Sequence, residues 1–366
     1  MKNKINHIYW FASINLNGPS TRYRLYYPLL HLKQHYNIDS YFVFPDRSIK
    51  GIIHFIHIFF LALLFRKKNS IIVIQKVFTN RVYANVLKFL VLVQKNNTLY
   101  DIDDAEYLRE STKTLHFFLK KCESVSVGSI TLYEYCSLFN KNIYLQTSPI
   151  PYHYIRKIRR NEKFTIGWVG DTGNGDNLYH PYSHKRSLFE LFFTQLLKIN
   201  HPLKLILIGV KHPSDVLEII NFFKNSPNIE LEIPTDLNWK NDNWLYPVIA
   251  GFDVGISPMV NHPFNQAKSA FKAKQYLSCG IPVIASDVGE NNKFVRNGFN
   301  GIICNTPEDF KSAIIRFINM SEQEYLDLSK NCLKDIENYS MDNYCKRFIE
   351  KHSIITPHNN KHENMQ

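Results

Sequence analysis

Lys268-Ser-Ala-Phe-Lys-Ala-Lys-Gln-Tyr-Leu-Ser-Cys-Gly-Ile-Pro-Val-Ile-Ala-Ser-Asp-Val-Gly-Glu-Asn-Asn292 reads as a helix, a strand and a strand-end loop in immediate succession. Helical spacing runs over 268–278 and stops at Gly280, the residue type that most easily takes the left-handed turn closing a helix. Pro282 opens a short apolar run, 282–285, which reads as a buried strand. Its end, Asp287-Val-Gly289-Glu290-Asn291, offers backbone donors and a carboxylate to a polyhydroxylated ligand. On the expected helix, Lys268 and Lys272 are four apart and share a face, where like charges repel mildly unless an anion is received. A solvated basic face accounts for either lysine alone. It does not account for helix, strand and loop forming one ligand cradle.

The same alternation of short apolar runs with longer amphipathic segments extends in both directions, the pattern of a parallel sheet covered by helices. In the second half, strands are expected over 164–169, 203–208, 229–233, 254–256, 282–285 and 301–304. Helices are expected over 187–198, 215–223, 244–250 and 268–278, then 307–320, 322–337 and 341–352. In the first half, strands are expected over 5–12, 38–44, 71–75, 98–102, 124–127 and 143–145, with helices over 23–35, 52–65, 81–94, 112–121 and 130–139. The register restarts after Ser148-Pro-Ile-Pro-Tyr152 and the basic stretch 156–163, which reads as a linker. The expectation is therefore an α/β chain of two Rossmann-like domains facing across a cleft. The first spans 1–155 and the second 156–340. A terminal helix over 341–357 is free to pack back on the first domain, and 358–366 reads as a polar tail. Ligands of such sheets sit beyond the carboxyl ends of the strands.

A length of 366 residues suits two domains, and 21% charged residues argue against extensive disorder. The net charge of +12 predicts attraction to polyanions. Basic residues are scattered rather than gathered into a nucleic-acid arm, so anionic lipid and diphosphate-bearing substrates are favoured over nucleic acid. The six cysteines form no CxxC pair and no metal-ligand spacing, which fits a reduced, cytoplasmic setting. The N-terminus lacks a signal-peptide core and reads as a first strand. The apolar segment 52–65, followed by Arg66-Lys67-Lys68, is too short to span a bilayer. A buried helix is the simpler expectation; a helix dipping into the interface at the inner membrane surface is the sharper one.

Three more loops carry candidate chemistry. Asn17-Gly-Pro-Ser-Thr-Arg-Tyr-Arg24 follows the first strand. Gly18 and Pro19 make a turn, Ser20 or Thr21 can cap a helix, and Arg22 and Arg24 stand in its first turns, where cations suit a phosphate or carboxylate; an ordinary capped helix with exposed arginines is the equal alternative. Asp101-Ile-Asp-Asp104 with Glu106 can hold a divalent cation, supply a general base, bind sugar hydroxyls or cap a helix. Ile166-Gly-Trp-Val-Gly170-Asp171-Thr-Gly-Asn-Gly175 permits close backbone approach to a phosphate, but it is not GxGxxG, and this disfavours a dehydrogenase. His180 and His184 read as polar loop residues.

With these residues in view, 252–303 resembles the retaining glycosyltransferases of the family-four group with the GT-B fold. Phe252-Asp-Val-Gly-Ile-Ser-Pro258 resembles their strand and proline, and Gly280-Ile-Pro-Val-Ile-Ala-Ser-Asp-Val-Gly289 their "Gly-x-Pro-Val-Ile-Ala-Ser-x-Val-Gly". Gln275-Tyr276 before Cys279-Gly280 resembles one branch, Asn297-Gly298-Phe299-Asn300-Gly301 their "x-Gly-x-x-Gly" ending, and Gly18–Arg24 their N-terminal substrate loop. The resemblance implies a nucleotide-sugar donor on the second domain and a glycan or lipid-linked acceptor on the first. It implies that Lys268 and Lys272 offset charge on the leaving diphosphate. Gly170, Asp171, Gln275, Gly289, Glu290 and Asn291 would contact the donor, and Gly18, Ser20, Arg22 and Arg24 would form the substrate loop. No metal and no cofactor beyond the nucleotide sugar is implied.

Ala267 stands where the first Glu of the family's paired-Glu motif is expected, and Lys185 and Arg186 are the nearest substitutes for its Arg/Lys pair. No nucleophile is named by sequence. A role in surface polysaccharide synthesis and peripheral contact with anionic membrane are expectations of the same kind. Two other functions stay open: a nucleotide-sugar epimerase on the same scaffold, and a non-catalytic glycan-binding subunit.

Overall fold

The computed structural model describes residues 2–3, 5–77, 81–108, 111–150, 160–172, 181–234, 241–352 and 354–355. The expected tail over 358–366, the first half of the basic linker stretch (156–159), the glycine-rich residues Gly173 to Gly175 and His180 lie outside them.

Two six-stranded parallel sheets organise the chain. In the first, the strand order is Asp39–Val43, His7–Ala12, Ser70–Gln75, Thr98–Ile102, Ser124–Val127, Ile143–Leu145. In the second it is Ile229–Glu232, Leu203–Ile208, Phe164–Val169, Val254–Ser257, Val283–Ser286, Gly301–Cys304. Every pairing within both sheets is parallel. Parallel strands need crossover helices, which cover both faces, so their sequences are near-continuous apolar runs. Ser70–Gln75 and Thr98–Ile102 show this: each is buried at every position.

The second sheet has the order in which the first strand in sequence pairs on one side with the second and on the other with the fourth. The chain reverses direction across the sheet between Phe164–Val169 and Val254–Ser257, and that reversal is where a ligand crevice forms. Tyr276 stitches the two strands together there. Its hydroxyl accepts from the Val169 N–H at 2.9 Å and donates to the Ile256 carbonyl at 3.3 Å. The close fit requires glycine beneath the ring: a Cβ on Gly255 would stand 2.3 Å from it.

The chain divides into two compact units, one of 1–128, 132–149 and 341–366, the other of 129–131 and 150–340. The helix Met341–His352 completes the first unit's core, burying Met341, Tyr344 and Phe348 with Trp10, Leu25 and Leu29. The second unit opens and closes at neighbouring points, because Ile150 bridges Ser340 and its N–H donates to the Tyr339 carbonyl at 2.8 Å. Local signals set the ends of its later helices. Thr306 with Asp309 and Ser321 with Glu324 form reciprocal capping boxes, satisfying N–H groups that have no partner inside the helix.

Two expectations are corrected. The helix expected over 268–278 is Phe271–Ser278, so Lys268 precedes it, and Ala270 at its start takes a left-handed conformation with φ 52°. Lys268 and Lys272 therefore do not share a helix face. The helix Ile49–Leu64 is not buried as a whole, since Ile58, Phe59 and Ala62 face the core while Ile53, Phe60 and Leu64 are exposed. No helix among the described residues is long and apolar enough to cross a membrane.

Candidate functional site

The site assembles at the strand reversal of the second unit. Phe164–Val169 ends at Gly170, whose missing side chain makes room: a Cβ there would lie 2.4 Å from the Trp168 ring and 2.9 Å from Lys272 Cε. Gly209, with φ 96°, presses equally close, since a Cβ on it would strike the Gly170 carbonyl. Lys272, in the first turn of Phe271–Ser278, thus lies across the strand-end loop. Its Nζ is 2.9 Å from Nε2 of His184. Ser183 caps the short helix His184–Ser187 by accepting from the Arg186 N–H, which sets His184 at its first position.

Lys272 keeps some surface exposure, but protein surrounds its ammonium closely enough to change its acidity. Desolvation chiefly, with repulsion from Lys268, lowers its pKa to about 7 against the opposing pull of Asp171. Asp171 is exposed and ion-paired with Lys211. A cation held this way in the free protein is short of a counter-charge, which an anionic ligand supplies. Lys268 has its Nζ 4.6 Å from the centre of the Phe264 ring.

Facing this basic end is the loop after Val283–Ser286. Gly289 has φ 63°, and a Cβ would come within 2.8 Å of the Asn265 and Lys268 carbonyls. Its N–H donates to Gln266 Oε1 at 3.1 Å, and the Glu290 N–H donates to the Lys268 carbonyl at 3.0 Å. Glu290 is buried. Its Oε1 accepts from the N–H of Ile130, a residue of this unit, at 3.0 Å, while Oε2 has no hydrogen-bond partner among the described residues. Asn291 donates to the Ser286 carbonyl at 3.0 Å, and its Oδ1, like that of Asn265, has no hydrogen-bond partner among the described residues. Three buried acceptor oxygens without a protein donor among the described residues suit a ligand rich in hydroxyl groups.

The structure brings together Gly170, Lys268, Lys272, Gly289, Glu290 and Asn291 in this way. Gln275 is buried one turn along the same helix as Lys272. Lys274, adjacent to it, points instead into an aromatic cage of Phe271, Phe294 and Tyr339, with Nζ 5.3–5.9 Å from the ring centres. Lys185 and Arg186 are committed elsewhere. Lys185 is buried and donates to Asp215 at 2.7 Å and to Glu218, which holds it protonated despite its burial. Asp215 also accepts from Thr172, so this pair anchors the start of the glycine-rich loop. Arg186 pairs with Glu190.

In the first unit, Arg24 does not reach out to an anion. It is fully buried, its Nε donating to Asp101 Oδ2 at 3.0 Å and its Nη2 to Oδ1. Burial alone would favour losing the proton; Asp101 more than offsets this and holds the guanidinium charged. Arg22 braces the loop before it, donating to the carbonyls of Leu16 at 2.9 Å and Asn17 at 3.2 Å. Gly18 and Ser20 lie on that loop, and the Ser20 carbonyl accepts from Gln75. The acidic cluster is neutralised from within. Lys76 reaches Asp103 at 3.0 Å and Asp104 at 2.6 Å, with Glu106 at 3.7 Å, so these carboxylates serve the fold rather than an open cation site.

Residues 165–320 match the glycosyl transferases group 1 family model. That stretch contains the strand reversal, Lys272, His184 and the Gly289 loop. No curated protein sequence matches the chain. Among solved structures, Anabaena HepE in complex with UDP superposes with a TM-score of 0.64 at 12% identity, over 94% of this chain and 99% of that one. Sucrose-phosphate synthase from Thermosynechococcus elongatus gives 0.68 at 14% identity, over 94% and 97%. The lipopolysaccharide outer core galactosyltransferase WaaB gives 0.62 at 11% identity, over 94% and 98%. The fold is that of the GT-B glycosyltransferases.

Sequence read His184 only as a polar loop residue and passed over Asn265. His184 lies 88 residues before its partner Lys272, and no spacing rule links them. Asn265 gave one weak signal, an amide close before a lysine at the ligand side of a strand.

Proposed function

We propose that this chain transfers a sugar, with retention, from a nucleoside-diphosphate sugar to a hydroxyl of a glycan or lipid-linked acceptor in surface polysaccharide synthesis. The observation that carries the reading is the pairing of unlike halves around one crevice. Lys272, with Lys268 nearby, offers charge to a diphosphate, and the buried acceptors of Asn265, Glu290 and Asn291 suit sugar hydroxyls.

In this reading the sugar C1–O bond to the diphosphate breaks as the acceptor oxygen bonds to C1, negative charge grows on the departing diphosphate, and the acceptor's hydroxyl proton passes to that diphosphate. Lys272 meets that charge as it develops, where a fixed cation lowers the barrier most. Glu290 and Asn291 orient the sugar, Gly289 lets the loop backbone approach it, and Gln275 contacts the nucleoside. Gly18, Ser20 and the loop braced by Arg22 take the acceptor. Side-chain cations take the place a divalent metal fills in other transferases. HepE is recorded with UDP, so a uridine diphosphate sugar is the first donor to try.

The test is thermal stability of the purified protein against UDP, GDP, ADP and their sugars, because a ligand that binds only the folded state raises the melting temperature. One nucleotide family should raise it clearly, and Lys272→Ala should abolish the shift. If none does, the transferase reading fails in favour of a non-catalytic subunit.

A further inference from the structure

The stretch 47–100 contains nine Lys or Arg residues and not one Asp or Glu, a net +9 against +12 for the whole chain. It folds into the helices Ile49–Leu64 and Arg81–Val93, which pack side by side, and the strand Ser70–Gln75. The first helix is apolar on two opposite sides. Ile58, Phe59 and Ala62 face the core, while Ile49, Ile53, Phe60 and Leu64, spaced a whole number of turns apart, form an outward stripe. The second helix continues that surface with Val82 and Phe89, which are 76% and 53% exposed. The inner side alone satisfies the core, so the outer stripe is surplus to folding, and contiguous exposed apolar surface of this kind marks an interaction site.

Lys50 flanks the start of the stripe, Lys67 and Lys68 its end, and Arg81 and Lys95 the two ends of the neighbouring helix; all five are exposed. Arg66 is spent internally, holding Ser70, Gln94 and the carbonyls of Asn96 and Asn97. Apolar side chains bordered by uncompensated cations match a surface with acyl chains beneath and phosphates above. They do not match a second copy of the same face, whose charges would repel.

We propose that the outward faces of Ile49–Leu64 and Arg81–Val93 seat the protein on an anionic lipid bilayer. Ile53, Phe60 and Val82 enter the acyl boundary and the flanking lysines meet lipid phosphates. The helix of 16 residues lies in the plane of the membrane, being too short to cross it. This surface rests on charge and exposure alone and stands whether or not the sugar-transfer reading holds.

The experiment is flotation of the full chain with vesicles of phosphatidylcholine alone and of phosphatidylcholine mixed with phosphatidylglycerol, at low and high salt. Binding is expected to the mixed vesicles only, weakening as salt rises. The double variants I53E/F60E and K67E/K68E should each bind about tenfold less or worse, and circular dichroism melts should show both folded. K67E/K68E changes only exposed side chains and keeps the test valid if I53E/F60E does not fold. Wild-type protein that ignores anionic vesicles, or folded variants that bind as well as wild type, overturn the proposal. So does a concentration-dependent dimer in light scattering that I53E/F60E abolishes, which would assign the face to a second copy.

Discussion

Lys272 Nζ and His184 Nε2 meet at 2.9 Å, joining the helix after the left-handed turn at Ala270 to the helix capped by Ser183. One hydrogen occupies the shared contact, and burial with repulsion from Lys268 depresses the lysine's affinity for its proton. The crevice is therefore less positive when empty than a count of its lysines suggests, and it gains charge as an anion enters.

A pH dependence follows. With its pKa lowered to about 7, Lys272 is increasingly neutral above that pH in the free protein, while a bound diphosphate favours the ammonium. Nucleotide affinity should fall as pH rises from 6.5 to 9, about tenfold per pH unit at most. Calorimetry in buffers of different ionisation enthalpy should show proton uptake on binding near pH 8. Lys272→Ala should flatten the profile and lower kcat about a hundredfold or more. The stability term has a definite sign. Between about pH 7 and the ordinary lysine value the unfolded chain binds more protons, so wild-type stability gains from this residue as pH rises through that window.

Gly289→Ala should damage both fold and site. Its φ of 63° disfavours any side chain, and the added Cβ would sit 2.8 Å from two carbonyl oxygens. A loss of about 1–3 kcal/mol is expected in urea unfolding, with no nucleotide-induced rise in melting temperature. Retention of both would show that the loop takes no close part in donor binding.

Arg24→Ala strands the Asp101 carboxylate in a buried site shared with Gln75 and Ser126. Removing one partner of a buried pair should cost about 3–5 kcal/mol. The double substitution Arg24→Met with Asp101→Leu should recover most of that loss, since neither charge then remains. Chemical denaturation of the two variants side by side measures the difference. Equal loss in both would show that packing, not the ion pair, dominates there.

If side-chain cations alone balance the leaving diphosphate, EDTA should leave the transfer rate unchanged once a donor and acceptor are known. A loss of activity restored by magnesium or manganese would show that Lys268 and Lys272 need a metal beside them.

The strands were the most legible part of the sequence. Thr98–Ile102, Ser124–Val127, Ile143–Leu145, Phe164–Val169, Leu203–Ile208 and Gly301–Cys304 fall where expected, because short stretches rich in apolar and β-branched residues between breakers mark strands even where a serine, lysine or aspartate interrupts them. The start of the lysine-bearing helix was not legible. Ser269 and Ala270 carry no local mark of a left-handed turn, which follows from packing: the Lys268 carbonyl is held by the Glu290 N–H, across a gap in sequence. Arg24 was misread for a similar reason. Two arginines early in a helix imply an anion, but here the anion is Asp101, 77 residues away in sequence. The half-exposed helix at 49–64 was ambiguous because apolar residues on both sides of a helix give one hydrophobic run, whichever side meets the core.

The return of Met341–His352 to the first unit also concerns how the protein is made. Tyr344 donates to the Arg24 carbonyl at 3.2 Å, Gln146 donates to the Tyr344 carbonyl at 3.0 Å, and Phe348 stacks on Trp10. On the ribosome, the first unit stays unfinished until the last helix emerges, although its sheet is synthesised first. The inserted unit 150–340 begins and ends at one bridge and can close beforehand. While residues 150–340 are being made, the nascent chain therefore carries a first unit whose sheet strands are all synthesised but whose apolar seam at Trp10 is still open, a period in which chaperone capture competes with self-completion.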